Sequence, residues 1–600
     1  MSDPYVALTW PKACAAGAEA AEGAAAALRE TGWRMRLAEP GLMVWERPER
    51  PLPGLARDEG AVIVGRRVCD VRTPEAPLAR WSHGGSVTAR AQALSRGGWG
   101  AYVAVLHDPA ADRWWVFRDP SGAREAYAWR RDPLAILSSG LEGLPPGFGP
   151  PRIGLDWGMI ADLLRNPGLR GGRPALAGLE WVSPGDLQPV DGAPADAVAI
   201  WRPAQWARYA AEAAPDAPRR LQETLVRTVA ALGAPYERLV SEASGGLDSS
   251  IVNAAIGRAG LAEKVVAALH YVGDRPEADE RRWAGELCAR WGLPLASVDR
   301  VRLTLDLDED FGALARDVRP PFAALDSARD RDTAERLQGW EAQALVTGKG
   351  GDALFFQMPT PLVLADLWQA RGWAALRDPL NADVARWLRR SVWAAWRDAA
   401  RTDASSASAA PLARFAGPAL GARPPSPPHP WLADLDDVPP AKRVQIRALT
   451  SGQVTQGAHR RSRAVEMLHP LLTQPMLEVG LSIPTWELVR GGRDRALARD
   501  AFSEWLPPSV ARRRSKGGLH SWYARLVAAN APALRRHLVD GVLADAGLLD
   551  RTAMARALDP DDLIRSGDGV DLMAAVAVES WVRHWQTRIP DAPGAERPRW

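Results

Sequence analysis

The segment Ser244 to Ser250, with the sequence Ser-Gly-Gly-Leu-Asp-Ser-Ser, has the residue types of a phosphate site. It follows the short apolar run Leu239-Val240 and precedes a helical pattern that begins at Ile251. Its two glycines let the backbone approach an anion and direct several N–H groups at it, while the hydroxyls and the helix N-terminus attract negative charge. The predicted phosphate-site residues in this loop are Ser244, Gly245, Gly246, Asp248 and Ser249.

The aspartate in this loop needs its own explanation, because a carboxylate facing a phosphate is repelled by it. Asp248 fits if it holds a Mg²⁺ ion that neutralises the phosphates, so we predict a metal ligand there. The alternative is a glycine-rich turn in which Asp248 caps the helix.

Lysine is rare in this chain, which makes each lysine informative. The 75 basic residues include only five lysines, and Lys516 stands beside three arginines, Arg512 to Arg514. A lysine in a chain that prefers arginine points to chemistry that a guanidinium does not replace. The alternative for Lys516 is a solvated basic turn.

The predicted pattern of secondary structure changes near residue 205. Before it, the runs Ala101–Leu106 and Arg113–Phe117 and a third around Ala126–Trp129 predict an antiparallel meander. After it, strands alternate with helices, which predicts a parallel, doubly wound sheet, and past Thr360 the pattern is mostly helical. The Pro-, Ser- and Ala-rich stretch from Asp403 to Pro430 predicts a flexible insertion, with a functional lid as the alternative.

Composition limits the class of protein. A chain of 600 residues with 24% charged and 46% hydrophobic residues predicts a globular protein of two to four domains. A net charge of +3 is too small to create a strong electrostatic field that would attract a polyanion, so we expect no nucleic-acid partner. The three cysteines match neither a disulfide framework nor a zinc pattern, and neither a long apolar stretch nor a signal peptide is evident. These features predict a cytoplasmic protein with no membrane partner.

Several further motifs, taken together with the glycine-rich loop, match those of a known family. They are Arg118–Gly122, Ser138-Ser139, Ser183–Gly185, Trp201–Pro203, Tyr271–Gly273, Asp279–Arg281, Thr347–Asp352, His469–Leu472 and Leu506–Gly517. With these motifs the chain resembles the PP-loop ATP pyrophosphatases and, within them, the asparagine synthetase family, nearly from end to end. The resemblance implies an α/β protein with a glutaminase-like (Ntn-type) α+β domain over 1–204. A PP-loop synthetase domain with a parallel sheet (adenine-nucleotide α-hydrolase-like) follows over 205–600.

The resemblance also assigns roles to single residues. Asp352 matches the second carboxylate for Mg²⁺, and Gly348 lets its loop pass close to the nucleotide. Val272 falls on the strand that the family places beside adenine. Lys516 matches the lysine that steadies charge on the acyl-adenylate, so Asp248, Asp352 and Lys516 are the predicted catalytic residues. ATP and Mg²⁺ are the expected cofactors.

Two departures from the family pattern bear on the reaction. Glutamine-dependent members expose an N-terminal cysteine, but this chain starts Met1-Ser2-Asp3-Pro4 and its first cysteine is Cys14. We therefore expect no glutaminase activity, with Ser2 as a remote alternative nucleophile. Lys349 stands where asparagine synthetases have a glutamate, which favours a nucleophile that loses its proton easily, such as a peptide α-amine.

These departures, together with Gly350–Phe355 and the Pro-rich stretch, resemble the lasso peptide cyclases. The resemblance implies adenylation of an Asp or Glu side chain of a precursor peptide, then closure of an isopeptide macrolactam by its N-terminal amine. The implied partners are the precursor peptide and a leader-removing cysteine protease. The alternatives are an asparagine synthetase or β-lactam synthetase-like ligase acting on a small molecule, and an inactive scaffold.

Overall fold

The structure is a computed structural model that describes residues 4–58, 61–69, 85–166, 173–192, 194–208, 216–273, 278–300, 304–402, 414–422, 426–454, 456–457, 459–513 and 520–589. The strands in this part of the chain are β1 (Tyr5–Thr9), β2 (Arg34–Glu39), β3 (Leu42–Glu46), β4 (Leu55–Asp58), β5 (Ala61–Cys69), β6 (Gly98–Asp108), β7 (Arg113–Arg118), β8 (Tyr127–Arg131), β9 (Leu134–Ser138), β10 (Gly154–Leu155), β11 (Leu176–Ala177), β12 (Glu180–Trp181), β13 (Asp186–Pro189), β14 (Val198–Ala199), β15 (Leu239–Glu242), β16 (Val265–Val272), β17 (Leu295–Asp299), β18 (Ala344–Val346) and β19 (Glu466–Leu468).

The longer helices are Ala15–Glu30, Val87–Arg96, Trp157–Arg165, Ala217–Gly233, Leu247–Arg258, Arg281–Trp291, Ser327–Gly339, Leu362–Arg371, Leu380–Leu388, Val392–Arg401, Pro440–Val454, Gln474–Ser482, His520–Ala529, Ala531–Leu538, Arg551–Ala557, Pro560–Ser566 and Gly569–Gln586. Short helices cover Pro203–Ala207, Gly351–Leu354, Pro418–Ala422, Arg460–Ala464, Thr485–Leu488, Ala496–Ala501, Pro508–Ala511 and Val542–Asp545. None of the described helices is both long enough and apolar enough to span a bilayer.

The first two hundred residues form two stacked antiparallel sheets between helices. One sheet has the order β12-β8-β9-β1-β3-β2 and the other β14-β13-β7-β6-β5-β4. Their facing sides share a core that includes Val44 and Leu137 of the first sheet and Val64 and Val105 of the second. The helix Ala15–Glu30 covers one outer face, and Val87–Arg96 covers the other. Because both faces of each sheet are covered, β1 is buried at every residue and does not alternate apolar with polar.

The predicted antiparallel meander is correct for two strands and wrong for the third. β6 pairs with β7 as expected, but the run around Ala126–Trp129 lies in the other sheet, where β8 pairs with β9. The turn after β7 explains the crossing. The buried Arg118 guanidinium donates to the carbonyls of Gly122, Arg124 and Val182, which holds the connection away from a hairpin.

The second part of the chain contains the predicted parallel sheet. Its order is β17-β16-β15-β18-β19, and every neighbouring pair is parallel. In chain order the strands run outward from β15 to β17, and the chain then returns to the other side of β15 for β18 and β19. In such sheets ligands bind at the carboxyl ends of the two strands where the direction reverses, which here are β15 and β18.

The last helices of the chain pack back on the first antiparallel sheet. Val578 and Trp581 of the helix Gly569–Gln586 share a core with Trp45 and Ile136 of that sheet. The change from antiparallel to parallel sheet falls between β14 and β15, close to the predicted boundary at 204/205. One hydrophobic core nevertheless joins residues from both sides of that boundary.

The Pro-rich stretch from 403 to 430 is better packed in its described parts than its composition predicts. Residues 403–413 and 423–425 lie outside the described part of the chain. Phe415 and Leu420 are buried against the C-terminal helices, and His429 is fully buried. The described parts, 414–422 and 426–430, are therefore anchored through a few buried apolar residues and His429, and the flexible insertion stays a prediction for the stretch as a whole.

Candidate active site at the carboxyl ends of β15 and β18

The glycine-rich loop follows β15 and leads into the helix Leu247–Arg258, as predicted. The Ser244 and Ser249 hydroxyls lie 2.8 Å apart, and the Gly246 N–H donates to Ser244 Oγ at 3.3 Å. Gly246 occupies the helix N-cap, so the alternative in which Asp248 caps the helix is wrong. Asp248 instead lies in the first helical turn.

Gly245 occupies a backbone conformation that a side chain would disfavour. Its φ is +75°, and a Cβ built there would lie 3.0 Å from both the Cβ and the carbonyl oxygen of Glu280. The loop is therefore pressed against the start of the helix Arg281–Trp291, which explains why a glycine is needed.

The loop after β18 packs directly on the loop after β15. A Cβ at Gly348 would lie 2.5 Å from the Ser249 backbone nitrogen, and one at Gly351 would lie 2.4 Å from Asp248 Cγ. These contacts bring Asp352 beside Asp248, although 104 positions separate them in the sequence. The structure thus brings together the two carboxylates predicted to bind a metal.

A buried arginine lies between these two carboxylates. Arg495 Nη1 is 3.0 Å from Asp248 Oδ2 and 2.5 Å from Asp352 Oδ1, so the two oxygens are at most about 5.5 Å apart. Burial alone would lower the pKa of Arg495, but Asp248, Asp494 and Asp352 hold that pKa above its ordinary value. Arg495 has a φ of 51°, a strained left-handed conformation that its contacts with these carboxylates maintain.

A cavity of about 680 Å³ opens over these loops. Ser244, Gly246, Asp248, Ser249, Gly348 and Asp352 line it. Tyr271 and Gly273 also line it, whereas Val272 between them does not and is buried. Because side chains alternate along a strand, Val272 faces away from the side that Tyr271 presents. Val272 itself is thus not a lining residue, whereas its neighbours Tyr271 and Gly273 border the cavity.

Lys349 contributes a cation to the same cavity. Its backbone N–H donates to Thr347 Oγ1 at 3.3 Å, and that hydroxyl lies 2.7 Å from His469 Nδ1. Burial, together with the nearby Arg461 guanidinium, lowers the pKa of Lys349 to about 7, although Glu242 partly opposes the shift. Near neutral pH a substantial fraction of this side chain is therefore an uncharged amine, which can accept a proton.

Two neighbouring histidines border Lys349 and are held neutral. Burial lowers the pKa of His459 and of His469 well below the ordinary value, and the cations Lys349 and Arg461 lower both further. Arg461 is itself fixed by Asp330 at 2.8 Å and by Glu242 at 3.1 Å. This end of the cavity therefore holds a fixed guanidinium, a lysine of lowered pKa and neutral imidazoles.

Lys516 lies outside the described residues, which continue only as far as Arg513 in that segment. Arg513 is anchored on the phosphate loop. It donates to the Gly245 carbonyl at 3.2 Å and to Glu280 Oε1 at 2.5 Å, and it stacks 3.8 Å above the Trp283 ring. The described part of this basic segment thus ends in contact with the predicted nucleotide site.

Cys14, the first cysteine of the chain, does not line this cavity. Residues 1–3, and with them Ser2, lie outside the described part of the chain. Cys14 is the N-cap of the helix Ala15–Glu30, and its sulfur accepts from the Gly17 N–H at 3.3 Å. Cys14 therefore has a structural role in the position described.

The donor set around Asp248 suits a metal that keeps other ligands. Within the described residues no group of three or more His, Cys, Asp or Glu side chains is placed to hold a metal ion. Two carboxylates alone fit Mg²⁺, which commonly takes one or two protein carboxylates and completes its octahedron with phosphate oxygens and water. Asp248 and Asp352 are thus compatible with Mg²⁺ bound together with a nucleotide.

Comparison with known proteins identifies the family of the synthetase part. The sequence profile for asparagine synthase matches residues 220–583, which is more than half of the chain. The chain belongs to the asparagine synthase family. Members of this family are ATP-dependent ligases that form C–N bonds, and this chain is therefore an ATP-dependent amide ligase. The matched span includes the loop Ser244–Ser250, Lys349, Asp352, Arg495 and Lys516.

The comparisons with curated proteins and with solved structures do not refine this family assignment. No curated protein matches the chain. Among the solved structures 26 chains match, including the glutamine phosphoribosylpyrophosphate amidotransferase of B. subtilis in complex with ADP and GMP. That structure is 10% identical, covers 58% of this chain and 81% of its own, and has a TM-score of 0.19. A TM-score that low supports no conclusion about this chain.

Sequence reasoning missed Arg461 and His459 of the cavity and, beside the two carboxylates, Arg495. Arg495 lies in the run Gly491-Gly492-Arg493-Asp494-Arg495, whose composition marks a charged turn. Arginine makes up nearly all of the basic residues, so residue type does not single out one of them. Its position between Asp248 and Asp352 depends on contacts across more than 140 residues.

Proposed function

We propose that this chain is a lasso peptide cyclase. It adenylates an Asp or Glu side chain of a precursor peptide, closes an isopeptide macrolactam with the N-terminal α-amine, and releases AMP and pyrophosphate. The observation that carries the proposal is Lys349, a cavity-lining amine whose pKa is lowered to about 7, at the place where asparagine synthetases have a glutamate.

The nucleotide end of the cavity accounts for adenylation. The loop Ser244–Ser249 would bind the phosphates through backbone N–H groups and hydroxyls. Asp248 and Asp352 would hold Mg²⁺, which supplies charge neutralisation at the phosphates. Arg495, which is already bound to both carboxylates, would hold them in position and would contact the pyrophosphate that leaves.

The opposite end of the cavity accounts for the amide bond. The amine nitrogen of the peptide attacks the activated carbonyl carbon, the bond from that carbon to the AMP oxygen breaks, and AMP leaves with the electron pair. The nitrogen must lose a proton as the bond forms. A peptide α-amine has an ordinary pKa of about 7.7 to 8.0, so the neutral form of Lys349 is well matched to take that proton.

The space beside the nucleotide site supports a substrate larger than an amino acid. A second cavity of about 350 Å³ adjoins the first. Both cavities are lined in part by Tyr271, Arg300, Arg329 and Trp522. Binding cavities for ligands of moderate size usually measure about 300 to 1,000 Å³, so the pair has room for a nucleotide and several peptide residues.

The proposal includes the partners of the reaction. A leader-removing cysteine protease would expose the α-amine of the precursor before ring closure. The first domain would not supply ammonia, since Cys14 caps a helix and the nucleophile can come from the peptide itself.

The test is mass spectrometry of a candidate precursor peptide incubated with the enzyme, ATP, Mg²⁺ and the protease. Loss of one water from the peptide, together with AMP, is the expected result. Asp352→Asn is the matched inactive control. Formation of asparagine from aspartate and ammonium, with no change in any peptide, would instead establish a small-molecule ligase. ADP in place of AMP would contradict the adenylation step.

A further inference from the structure

A three-helix layer projects from the surface of the synthetase part. It comprises the helices Leu362–Arg371, Leu380–Leu388 and Val392–Arg401 and the short turn Gly372–Arg377. Leu364 and Leu367 of the first helix are fully buried in the synthetase core. The layer is therefore anchored on one side and free to present its other side.

Hydrogen bonds and ring contacts hold the parts of the layer together. Asn381 donates to the Ala375 carbonyl at 2.8 Å and accepts from Trp396 Nε1 at 3.1 Å. The Trp368 ring contacts both the Trp373 ring, at 5.1 Å between centroids, and the Trp396 ring, at 6.1 Å. The turn and the third helix thus form one rigid surface.

Two tryptophans project from this layer into solvent. Trp373 is 79% exposed and Trp393, one turn before Trp396 in the third helix, is 83% exposed. Leu376, in the same turn as Trp373, is 47% exposed. Such exposure of large apolar side chains is costly unless a partner covers them, so it marks an interaction surface.

The same layer carries a net positive charge. Residues 371–401 contain seven arginines and three aspartates, a net charge of +4, whereas the whole chain carries +3. The other 569 residues therefore sum to −1. All seven arginines are exposed. In the described part of the chain, four of them have no acidic partner: Arg377, Arg389, Arg390 and Arg401.

We propose that this tryptophan–arginine face, residues 371–401, binds the surface of an anionic lipid bilayer. Arginines are attracted to anionic headgroups, and indole rings favour the boundary between headgroups and acyl chains. A bilayer boundary accepts projecting side chains without a complementary shape, whereas a protein partner would need a hole for each indole. The exposed fractions of the Trp373 and Trp393 side chains, 79% and 83%, therefore favour a lipid surface over a protein partner.

The net charge of the whole chain does not reveal this surface, because it averages over all residues. The composition predicts no membrane partner because +3 over 600 residues is a weak average. The folded chain nevertheless has one layer with a net charge of +4 that also carries two exposed indoles. This inference does not depend on the proposed function, since it concerns attachment to a surface and not the reaction.

The experiment is flotation of the full chain with vesicles of phosphatidylcholine, with and without phosphatidylglycerol, in the absence of ATP and peptide. We expect flotation only with the anionic vesicles at about 0.1 M salt, and its loss at about 1 M salt, where the screening length falls from about 10 Å to about 3 Å. Trp373→Ala/Trp393→Ala and Arg389→Gln/Arg390→Gln should each weaken binding about tenfold or more.

Matched controls remove exposed apolar side chains or exposed charges elsewhere. Met35→Ala/Val198→Ala removes two other exposed apolar side chains, and Arg130→Gln/Arg219→Gln removes two exposed cations. Both should bind like the wild type, and all four variants should keep the wild-type rate of ATP turnover, which shows that they are folded.

Three results would overturn the proposal. They are absence of wild-type binding to anionic vesicles, equal binding to vesicles without phosphatidylglycerol, and unchanged binding by the tryptophan variant. If the wild type ignores vesicles while the tryptophan variant alone fails to bind the leader-removing protease, the face is a protein docking site and the lipid assignment is wrong.

Discussion

Replacing Arg495 by methionine tests whether the two site carboxylates depend on a cation between them. The substitution keeps much of the side-chain volume and removes the charge that joins Asp248 to Asp352. Two unit charges about 5.5 Å apart repel by about 3 kcal/mol at an effective dielectric constant of about 20. The Asp352 side chain is 50% exposed, so solvent screening reduces this figure, and we expect a loss of about 1 to 2 kcal/mol of stability without Mg²⁺.

Thermal melting with and without Mg²⁺ measures this effect. Because a divalent cation can replace the missing guanidinium, Mg²⁺ should raise the melting temperature of Arg495→Met more than that of the wild type. ATP–pyrophosphate exchange should fall by about 10² to 10³-fold, the cost typical of removing one donor from a developing anion. Arg493→Met is the matched control, since Arg493 pairs with Asp500 near the surface at 3.0 Å and should have little effect.

Two results would refute the reasoning on Arg495. One is a variant that melts like the wild type in Mg²⁺-free buffer and responds equally to Mg²⁺, which would show that the carboxylates do not need the cation. The other is wild-type exchange activity in the variant, which would remove Arg495 from contact with the phosphates.

Four other predictions follow from the site. Asp248→Asn and Asp352→Asn should each abolish conversion of ATP to AMP while circular dichroism stays unchanged; near-normal turnover would contradict their metal role. Lys516→Ala should cost about 2 to 4 kcal/mol of transition-state stabilisation, measured as kcat/KM beside Arg512→Ala, and a rate like that of the control would exclude it from the mechanism. The pKa of Lys349 in the folded chain, about 7, lies below its value in the unfolded chain, so the charged form of Lys349 destabilises the fold. Lys349→Met should therefore raise the melting temperature at pH 6 to 7, and the increase should shrink towards pH 10. A difference in melting temperature that stays constant with pH would contradict the lowered pKa. Incubation with glutamine should release no glutamate, and measurable release would restore an amidase role to the first domain.

The glycine-rich loop and the parallel sheet were predictable because their signals are local. Ser244 to Ser250 are consecutive residues, and glycines, hydroxyls and a following helix specify such a loop within a few positions. The alternation of strands and helices after residue 205 likewise specifies parallel pairing through short-range periodicity. The prediction that the run around Ala126–Trp129 pairs with β7 was wrong because the connection after β7 depends on a distant contact, the hydrogen bond from Arg118 to the Val182 carbonyl.

By itself, the sequence predicted the glycine-rich loop between a strand and a helix, the family, and Asp248 and Asp352 as candidate metal ligands, since each prediction depends on residue type within a short motif. Only the tertiary structure decided which arginine lies between those carboxylates, how far burial lowers the pKa of Lys349, and which two of 27 tryptophans project into solvent. The physical reason is that desolvation and ion pairing depend on neighbours brought together from distant parts of the chain. In a chain so rich in arginine and tryptophan, residue type alone does not distinguish the few in special environments from the many that are simply packed or solvated.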